Sequence, residues 1–158
     1  MVSNFSYKEM PHSYTKIWLH VIFATKKRTP LIKESVEGKI YQHLREQLVE
    51  IGCCVRTING MPEHVHLLFQ QNPKIAVADI LKQIKGNTSH WINLEDLIPE
   101  KFAWQTGYAA YSVSASQLEK VALYIDSQKA HHAKKLFIEE FEDLVLLHGL
   151  KMDCADDE

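Results

Sequence analysis

The chain of 158 residues has little of several features that would assign it to a class at once. It has only three cysteines, Cys53, Cys54 and Cys154, and no C-x-x-C pair, so neither a zinc ribbon nor a dithiol redox site is indicated. No apolar run approaches the length of a membrane span, and the mixed polar start MVSNFSYKEM lacks the pattern of a signal peptide. These absences predict a cytoplasmic protein with reduced thiols and no membrane partner.

Charge of one sign is not in large excess either, because the formal net charge is −2. The acids are nevertheless unevenly placed, since residues 139–158 contain eight acids and one base, a net charge of −7. The other 138 residues hold 17 Lys and Arg against 12 Asp and Glu, a net charge of +5. A mildly basic body permits contact with a polyanion such as nucleic acid but does not require it.

Hydrophobic residues make up 46% of the chain, which suits one globular domain with a sizeable core. Apolar periodicity and turn signals predict alternating strands and helices. The predicted strands are 16–25, 53–58, 64–70 and 106–113, and the predicted helices are 33–51, 76–92 with an interruption at Gly86, 114–132, and roughly 134–147. A turn is predicted at 59–62 and a capping box at Ser114 and Gln117.

This element order is that of the split βαβ arrangement found in ferredoxin-like and RRM-like α+β folds. We therefore predict an antiparallel sheet with helices on one face, followed by a further C-terminal helix that carries Tyr124. The second face of the sheet is predicted to be free for a partner or a second chain. A single domain is expected at residues 14–150, with an N-terminal extension at 1–13 and an acidic tail at 151–158.

His64 and His66 form the most informative motif. They lie two residues apart on a predicted strand, so both imidazoles point to one face while Val65 points to the core. Two imidazoles fixed in this way can chelate a divalent cation, although such a pair also arises by chance in a chain with nine histidines. His20, on a neighbouring predicted strand, could face the same side, but a satisfied, partly buried histidine is the favoured interpretation.

The helix predicted at 114–132 carries Tyr124 and Gln128 at positions i and i+4, on one helical face. A tyrosine hydroxyl can attack phosphorus, but with a free pKa of about 10 it needs a metal or a base to do so. The amide oxygen of Gln128 is a suitable hard ligand for magnesium or manganese. Equally, these side chains could belong to a packed structural face. His131 and His132 could approach the site or simply lie near a helix end.

Five segments of the chain resemble the IS200-like transposases, members of the superfamily named for its His-hydrophobic-His motif. They occur in the order WLHVIFATKKRTPLI, MPEHVHLLF, ILKQIKGNTSHWIN, FAWQTGYAAYSVS and VALYIDSQKAHHAKKLFIEEF, and the resemblance spans roughly residues 14–150. Members of this family bind single-stranded DNA at the ends of mobile elements and recognise imperfect hairpins near those ends. One tyrosine attacks the scissile phosphate, leaving a 5′-phosphotyrosine and a free 3′-hydroxyl that later rejoins the strands.

The resemblance implies that Tyr124 is the nucleophile and that His64, His66 and Gln128 hold a divalent metal, Mg²⁺ or Mn²⁺. Glu63 stands where the family has an acid, and no role is assigned to it. The resemblance further implies a homodimer in which the tyrosine helix of one subunit completes the histidine site of the other. The chain is thus expected to be a metal-dependent transposase with one catalytic domain.

Two basic clusters are candidates for contact with hairpin or single-strand phosphates. The candidates are Lys26, Lys27 and Arg28 after the first strand, and Lys82 and Lys85 on one helix. A solvated charged surface is an equally open interpretation of each cluster. Trp91 and Trp104 could stack on bases, but core packing is the more frequent fate of tryptophan.

Other functions stay open at this point. One alternative is a domesticated or silent protein of the same lineage, which binds hairpin DNA without strand transfer or cuts dispersed genomic repeats. Another is an unrelated metal-dependent hydrolase, which would use water in place of the tyrosine. An RNA-binding ferredoxin-like domain would show paired aromatics on its central strands, and the histidine strand lacks the expected glycine-aromatic signature.

Overall fold

The computed structural model describes residues 13–132 and 143–149. Its elements, in chain order, are β1 (Trp18–Ala24), α1 (Glu34–Glu50), β2 (Cys54–Met61), β3 (His64–Gln70), α2 (Val77–Leu94), β4 (Ala109–Val113), α3 (Leu118–Asp126) and α4 (Gln128–His132). Short 3-10 turns occupy Lys26–Arg28 and Ala115–Gln117, and residues 143–147 are helical. The remainder of the helix predicted at roughly 134–147, most of the N-terminal extension and the acidic tail lie outside the described residues.

The four strands form one antiparallel sheet in the order β2-β3-β1-β4, which confirms the ferredoxin-like prediction. The central strands β1 and β3 pair so that Ile22 lies opposite His66 and Ala24 opposite His64. The start of β3 is therefore fixed on one side by β1 and on the other by β2. Within the described part of the chain, no helix has the length and apolar character needed to span a bilayer.

The larger core lies between one face of the sheet and the helices α1 and α2. Alternating positions of the central strands supply one side of it, and positions three or four apart on each helix supply the other. The fully buried members include Val21, Val65, Leu67, Phe69, Ile40, Leu44, Leu48, Ile80, Leu81 and Ile84. Burial of these apolar side chains is the main term that stabilises the sheet and so fixes the strands that carry the histidines.

The second face of the sheet is covered by the chain itself, so the predicted free face was wrong. α3 places Val121, Ala122 and Ile125 against this face, at helical spacing. They form a smaller core with Trp18, Leu68 and Val113, and Leu147 packs against it. An apolar stripe on α3 is thus buried against its own sheet, and no second chain is needed to cover it.

The hairpin between β2 and β3 is tighter than the sequence suggested. Met61 pairs with His64, so the loop consists of Pro62–Glu63 alone, and residues 59–60 belong to the strand. The predicted turn at 59–62 was therefore wrong in its position. The Asn-Gly pair at 59–60 is a common turn signal, but here the glycine serves a close approach of two strands.

Two helix predictions also need correction. α2 continues through Gly86 without interruption, since a single glycine weakens a helix without ending it. The helix predicted at 114–132 is divided into a 3-10 turn, α3 and α4. The capping box is absent, because the Ser114 hydroxyl contacts a neighbouring serine hydroxyl and makes no bond to the helix backbone.

We expect Gly60→Ala to lower the free energy of unfolding by about 1–3 kcal/mol, as overpacked sites do. A Cβ at Gly60 would lie 2.3 Å from the carbonyl oxygen of His64 and 2.9 Å from the Cα atom of Val65, so the backbone must move. Urea unfolding followed by circular dichroism measures the loss. The matched control is Gly86→Ala, where a Cβ meets nothing within 4 Å and the helix gains about 0.5–1 kcal/mol. A Gly60→Ala protein as stable as the wild type would contradict the close approach of β2 and β3.

Candidate active site

His64 and His66 lie at the start of β3, on the sheet face that α3 covers. Both side chains are buried, with relative exposures of 3% and 0%. Their ring centroids are 5.0 Å apart and their planes are inclined by 66°. Because β3 is paired on both sides, the backbone holds the two imidazoles at a fixed separation, as the sequence predicted.

Each of the two histidines has its Nδ1 atom engaged by a neighbour. His64 Nδ1 lies 3.0 Å from Oε1 of Glu63, and His66 Nδ1 lies 3.0 Å from Nε2 of His20. Metal-binding histidines usually have their second ring nitrogen held in this way, which fixes the ring and its tautomer. Nε2 is therefore the nitrogen that each histidine would present to a cation, and Glu63 gains a role as a partner of His64.

Tyr124 reaches the histidines from α3, and Gln128 lies one helical turn later, at the start of α4. The ring centroid of Tyr124 lies 5.9 Å from that of His66. Gln128 is fully buried, and neither its Oε1 nor its Nε2 atom makes a hydrogen bond within the described part of the chain. A buried amide left without partners costs about 1–3 kcal/mol, so Gln128 is a candidate to hold a ligand.

A break in the helix lies between the tyrosine and the glutamine. The Ser127 hydroxyl donates to the carbonyl oxygen of Leu123 at 2.7 Å and to that of Tyr124 at 3.2 Å. Such bonds from serine to preceding carbonyls bend helices. Tyr124 and Gln128 therefore do not share one continuous helix as predicted, since Tyr124 lies on α3 and Gln128 begins α4. Tyr124 still reaches the histidines.

Polar contacts with β2 and α1 hold α3 and α4 against their own chain. Asn59 Nδ2 donates to two carbonyl oxygens at the end of α3, at 3.0 and 3.2 Å. The Thr57 hydroxyl donates to the carboxylate of Asp126, and Lys129 forms an ion pair of 2.7 Å with Glu37. A single chain thus brings the tyrosine to its own histidines.

His20 is a site residue that the sequence analysis undervalued. It is fully buried and not partly buried as predicted, its Nε2 atom contacts His66, and its Nδ1 atom lies 2.7 Å from Nε2 of His148. Burial, with smaller contributions from His66 and His148, holds the pKa of His20 well below its usual value. Burial lowers the pKa of His148 to about 4. Both rings are therefore neutral near pH 7.

His148 was missed altogether. It lies in residues 143–149, stacks on Tyr111 with ring centroids 4.2 Å apart, and is 128 positions away from the His20 that it contacts. No local pattern marks a histidine near an acidic tail as a partner of the first strand. The side chains of His131 and His132 lie outside the described part of the chain.

The residues present fit a divalent metal. No cluster of three or more His, Cys, Asp and Glu side chains that could hold a metal occurs among the described residues. The candidate set instead consists of two imidazoles and the amide of Gln128, whose atoms are buried without partners in that part of the chain. A neutral set of two nitrogens and one oxygen accepts Mg²⁺ or Mn²⁺.

Comparison with known proteins shows the family of the chain. Residues 13–128 match the family model described as IS200-like transposase. The chain belongs to the IS200-like transposase family. Members of this family generally act as DNA-cleaving enzymes.

Individual relatives support the family and the fold. This transposase is 28% identical over 114 residues to the ISDra2 transposase TnpA of Deinococcus radiodurans, which spans 69% of this chain and 81% of the relative. A crystal structure of a proposed transposase from D. radiodurans matches with a TM-score of 0.61 at 23% identity, covering 76% of this chain and 96% of the other. A REP-associated tyrosine transposase bound to a REP hairpin matches with a TM-score of 0.60 at 14% identity, covering 94% and 92%. These structures confirm the fold.

The first basic cluster of this transposase lies beside the histidines. Arg28 lines a cavity of about 230 Å³ together with both histidines. Lys26 and Lys27 are exposed in the same turn, and the φ angles of Lys27 and Arg28 are 57° and 52°. Left-handed backbone at two successive non-glycine residues is strained, and such strain often accompanies function.

The two lysines of the second basic cluster differ in their surroundings. Lys82 is exposed, but Lys85 Nζ donates to the carbonyl oxygens of residues 105–107 at 2.7, 3.1 and 3.0 Å. Burial lowers the pKa of Lys85. Lys85 therefore anchors the loop before β4, and its contact with DNA stays a prediction, as does that of Lys82.

The two tryptophans are packed within the protein. Trp104 is buried and lies edge-on to Phe23, with ring centroids 4.7 Å apart. Trp91 stacks on His43 with ring centroids 4.2 Å apart. Both contacts agree with the expectation that core packing, and not base stacking, is the usual role of tryptophan.

Proposed function

We propose that this chain cleaves and rejoins single-stranded DNA at the ends of a mobile element, through a 5′-phosphotyrosine at Tyr124, and that it recognises subterminal hairpins. The observation that supports the proposal is the meeting of Tyr124 with two buried histidines, in a chain of this family. The buried amide of Gln128, which has no hydrogen-bond partner among the described residues, follows one helical turn later. The hairpin in one structural neighbour suggests the same class of ligand here.

The chemistry assigned to Tyr124 is a transesterification. Its hydroxyl oxygen attacks the scissile phosphorus, and the bond from phosphorus to the 3′-oxygen breaks as the bond to the tyrosine forms. The phenolic proton is lost and the 3′-oxygen gains a proton, so one ester replaces another and no nucleotide hydrolysis is required. Attack by a 3′-hydroxyl on the phosphotyrosine reverses the exchange and rejoins a strand.

His64, His66 and Gln128 would hold the metal, Mg²⁺ or Mn²⁺. When bound, this ion would offset the negative charge that builds on the scissile phosphate. β3 fixes the two imidazoles, and Glu63 and His20 hold their Nδ1 atoms. Gln128 would supply its amide oxygen from the start of α4.

The experiment that tests the proposal is an adduct assay on denaturing gels. Labelled single strands carrying the element's flanks are incubated with the full chain in EDTA, Mg²⁺ or Mn²⁺. We expect a protease-sensitive covalent adduct that forms only with metal. Hairpin binding without any adduct would favour the silent DNA-binding alternative, and cleavage without an adduct would favour a hydrolase that uses water.

We expect Arg28→Gln to weaken single-strand binding in a salt-dependent manner. Each phosphate contact contributes about 0.7 to the slope of log affinity against log salt concentration for single strands, so the slope should decrease by about that amount. Fluorescence anisotropy over a NaCl series measures it. The control is Lys39→Gln, an exposed position on α1 that lies away from the site, and its slope should be unchanged. If the slope of log affinity against log salt concentration is the same for both variants, Arg28 does not contact a DNA phosphate.

The dimer implied by the resemblance is tested by mixing two inactive variants. Because α3 is seated on its own sheet, we propose that one chain contains a complete site in cis. A mixture of His66→Ala and Tyr124→Phe proteins should then show no more than background adduct. If the sites were completed in trans, mixed dimers would hold one intact site and recover adduct formation. Sedimentation analysis of the wild type separately measures whether two chains associate.

A further inference from the structure

Three imidazoles form a hydrogen-bonded row that ends at the candidate metal site. His66 Nδ1 lies 3.0 Å from His20 Nε2, and His20 Nδ1 lies 2.7 Å from His148 Nε2. His20 sits in the middle with no exposed surface. Its ring also packs against those of His66 and Tyr124, with centroids 5.2 and 6.3 Å away. The row thus joins residues 143–149 to the site through one buried ring.

A neutral imidazole carries one N–H, so two hydrogen bonds along three rings allow two proton orders. In the first order, His66 Nδ1–H donates to His20 Nε2, and His20 Nδ1–H donates to His148 Nε2. The lone pair of His66 Nε2 is then available to a cation. In the second order the direction of both hydrogen bonds is reversed, and His66 carries its proton on Nε2. A protonated Nε2 atom has no lone pair to offer a cation.

We infer that His20 is a positioning residue which, with His148 behind it, holds His66 in the proton order that presents Nε2 to a divalent cation. The inference rests on the proposed function, because it requires His66 to be a ligand. His20 contacts one histidine at each ring nitrogen, so it is placed to accept a hydrogen bond from His66 and to donate one to His148. His148 supplies the acceptor that selects the same order.

A packing role alone would be retained by phenylalanine, which keeps the ring but has neither nitrogen. Glutamine has an acceptor oxygen and an N–H donor, so it can replace both hydrogen bonds with less ring packing. His20→Phe and His20→Gln therefore separate hydrogen bonding from packing. The matched control is His43→Phe, in which an imidazole stacked on Trp91 in the other core is changed in the same way.

The test is calorimetric titration of the full chain with Mn²⁺. We expect His20→Phe to weaken Mn²⁺ binding by about 10- to 100-fold, the loss typical of the outer partner of a metal-bound histidine. His20→Gln should keep most of the wild-type affinity, and His43→Phe should keep all of it. ¹⁵N spectra of the wild-type imidazoles in saturating Mg²⁺ should place the proton of both His66 and His20 on Nδ1.

The outcomes separate this inference from the proposed function. If His66→Ala abolishes Mn²⁺ binding but His20→Phe does not weaken it, the inference is overturned and the proposed function stands. If the wild type binds no Mn²⁺, or binds it with the same affinity as His66→Ala, both the proposed function and this inference are overturned. If His20→Phe does not fold, the spectra decide: a proton on His20 Nε2 in the Mg²⁺-bound protein overturns the inference, and one on Nδ1 supports it.

Discussion

Replacing Gln128 by methionine should make the protein more stable and, at the same time, far less active. The Gln128 side chain is fully buried, and both of its amide atoms are without hydrogen-bond partners in the described part of the chain. Removing such a group relieves a cost of about 1–3 kcal/mol. Methionine has a similar length and flexibility, so it can fill the same space with little strain.

The loss of activity follows from the loss of the third proposed ligand. A thioether is a poor partner for Mg²⁺ or Mn²⁺, which prefer oxygen. We expect metal-dependent cleavage to fall by at least about 100-fold, the upper end of what partners outside the first coordination sphere cost. A stabilising change that removes activity is the pattern expected where function requires an unfavourable group.

Urea unfolding with EDTA and with Mn²⁺ separates the two effects. In EDTA, Gln128→Met should raise the free energy of unfolding by about 1 kcal/mol. Added Mn²⁺ should stabilise the wild type, because a ligand that binds only the folded state does so, and should leave the variant unchanged. The exposed Gln117→Met is the matched control and should show neither effect. Lower stability of Gln128→Met in EDTA would indicate that the amide already has hydrogen-bond partners in the metal-free protein. That result would contradict its role as a metal ligand.

The sequence predicted the parts of this site that depend on local patterns. β3 was predicted at 64–70 and is observed at His64–Gln70, because a short run of apolar and β-favouring residues after a turn signal is typical of a strand buried on both faces. Two histidines two apart on that strand necessarily share a face. Once the order of elements indicated a ferredoxin-like sheet, β1 became the neighbour of β3, and His20 came within reach of His66.

The parts that depend on distant contacts could not be predicted in this way. Ser127 is compatible with a continuous helix, and only its contacts with preceding carbonyls show that the chain bends there. Gly60 is part of a turn signal, yet its role is to let β2 approach the backbone of His64. The contact between His20 and His148 joins residues 128 positions apart, and no periodicity or motif connects them.

Tyr124→Phe should abolish the covalent adduct while leaving the fold and DNA binding intact. The substitution removes only the hydroxyl oxygen, so no ester with the DNA can form, and the ring keeps its place 5.9 Å from that of His66. Removing a nucleophile that acts with a complete site costs on the order of 10⁴-fold or more in rate. We therefore expect no adduct on a denaturing gel and strand cleavage reduced by at least about that factor.

The matched control is Tyr111→Phe, because Tyr111 lies on the same side of the sheet and its ring stacks on His148. That variant loses a hydroxyl close to the site but should form the adduct at the wild-type rate. Fluorescence anisotropy with the same oligonucleotide checks that Tyr124→Phe still binds DNA. The absence of an adduct can then be assigned to the missing nucleophile and not to weaker binding. An adduct that survives in Tyr124→Phe would assign the nucleophile to another residue. Cleavage that survives without an adduct would replace the phosphotyrosine with attack by water, and the histidines and Gln128 would then serve a nuclease.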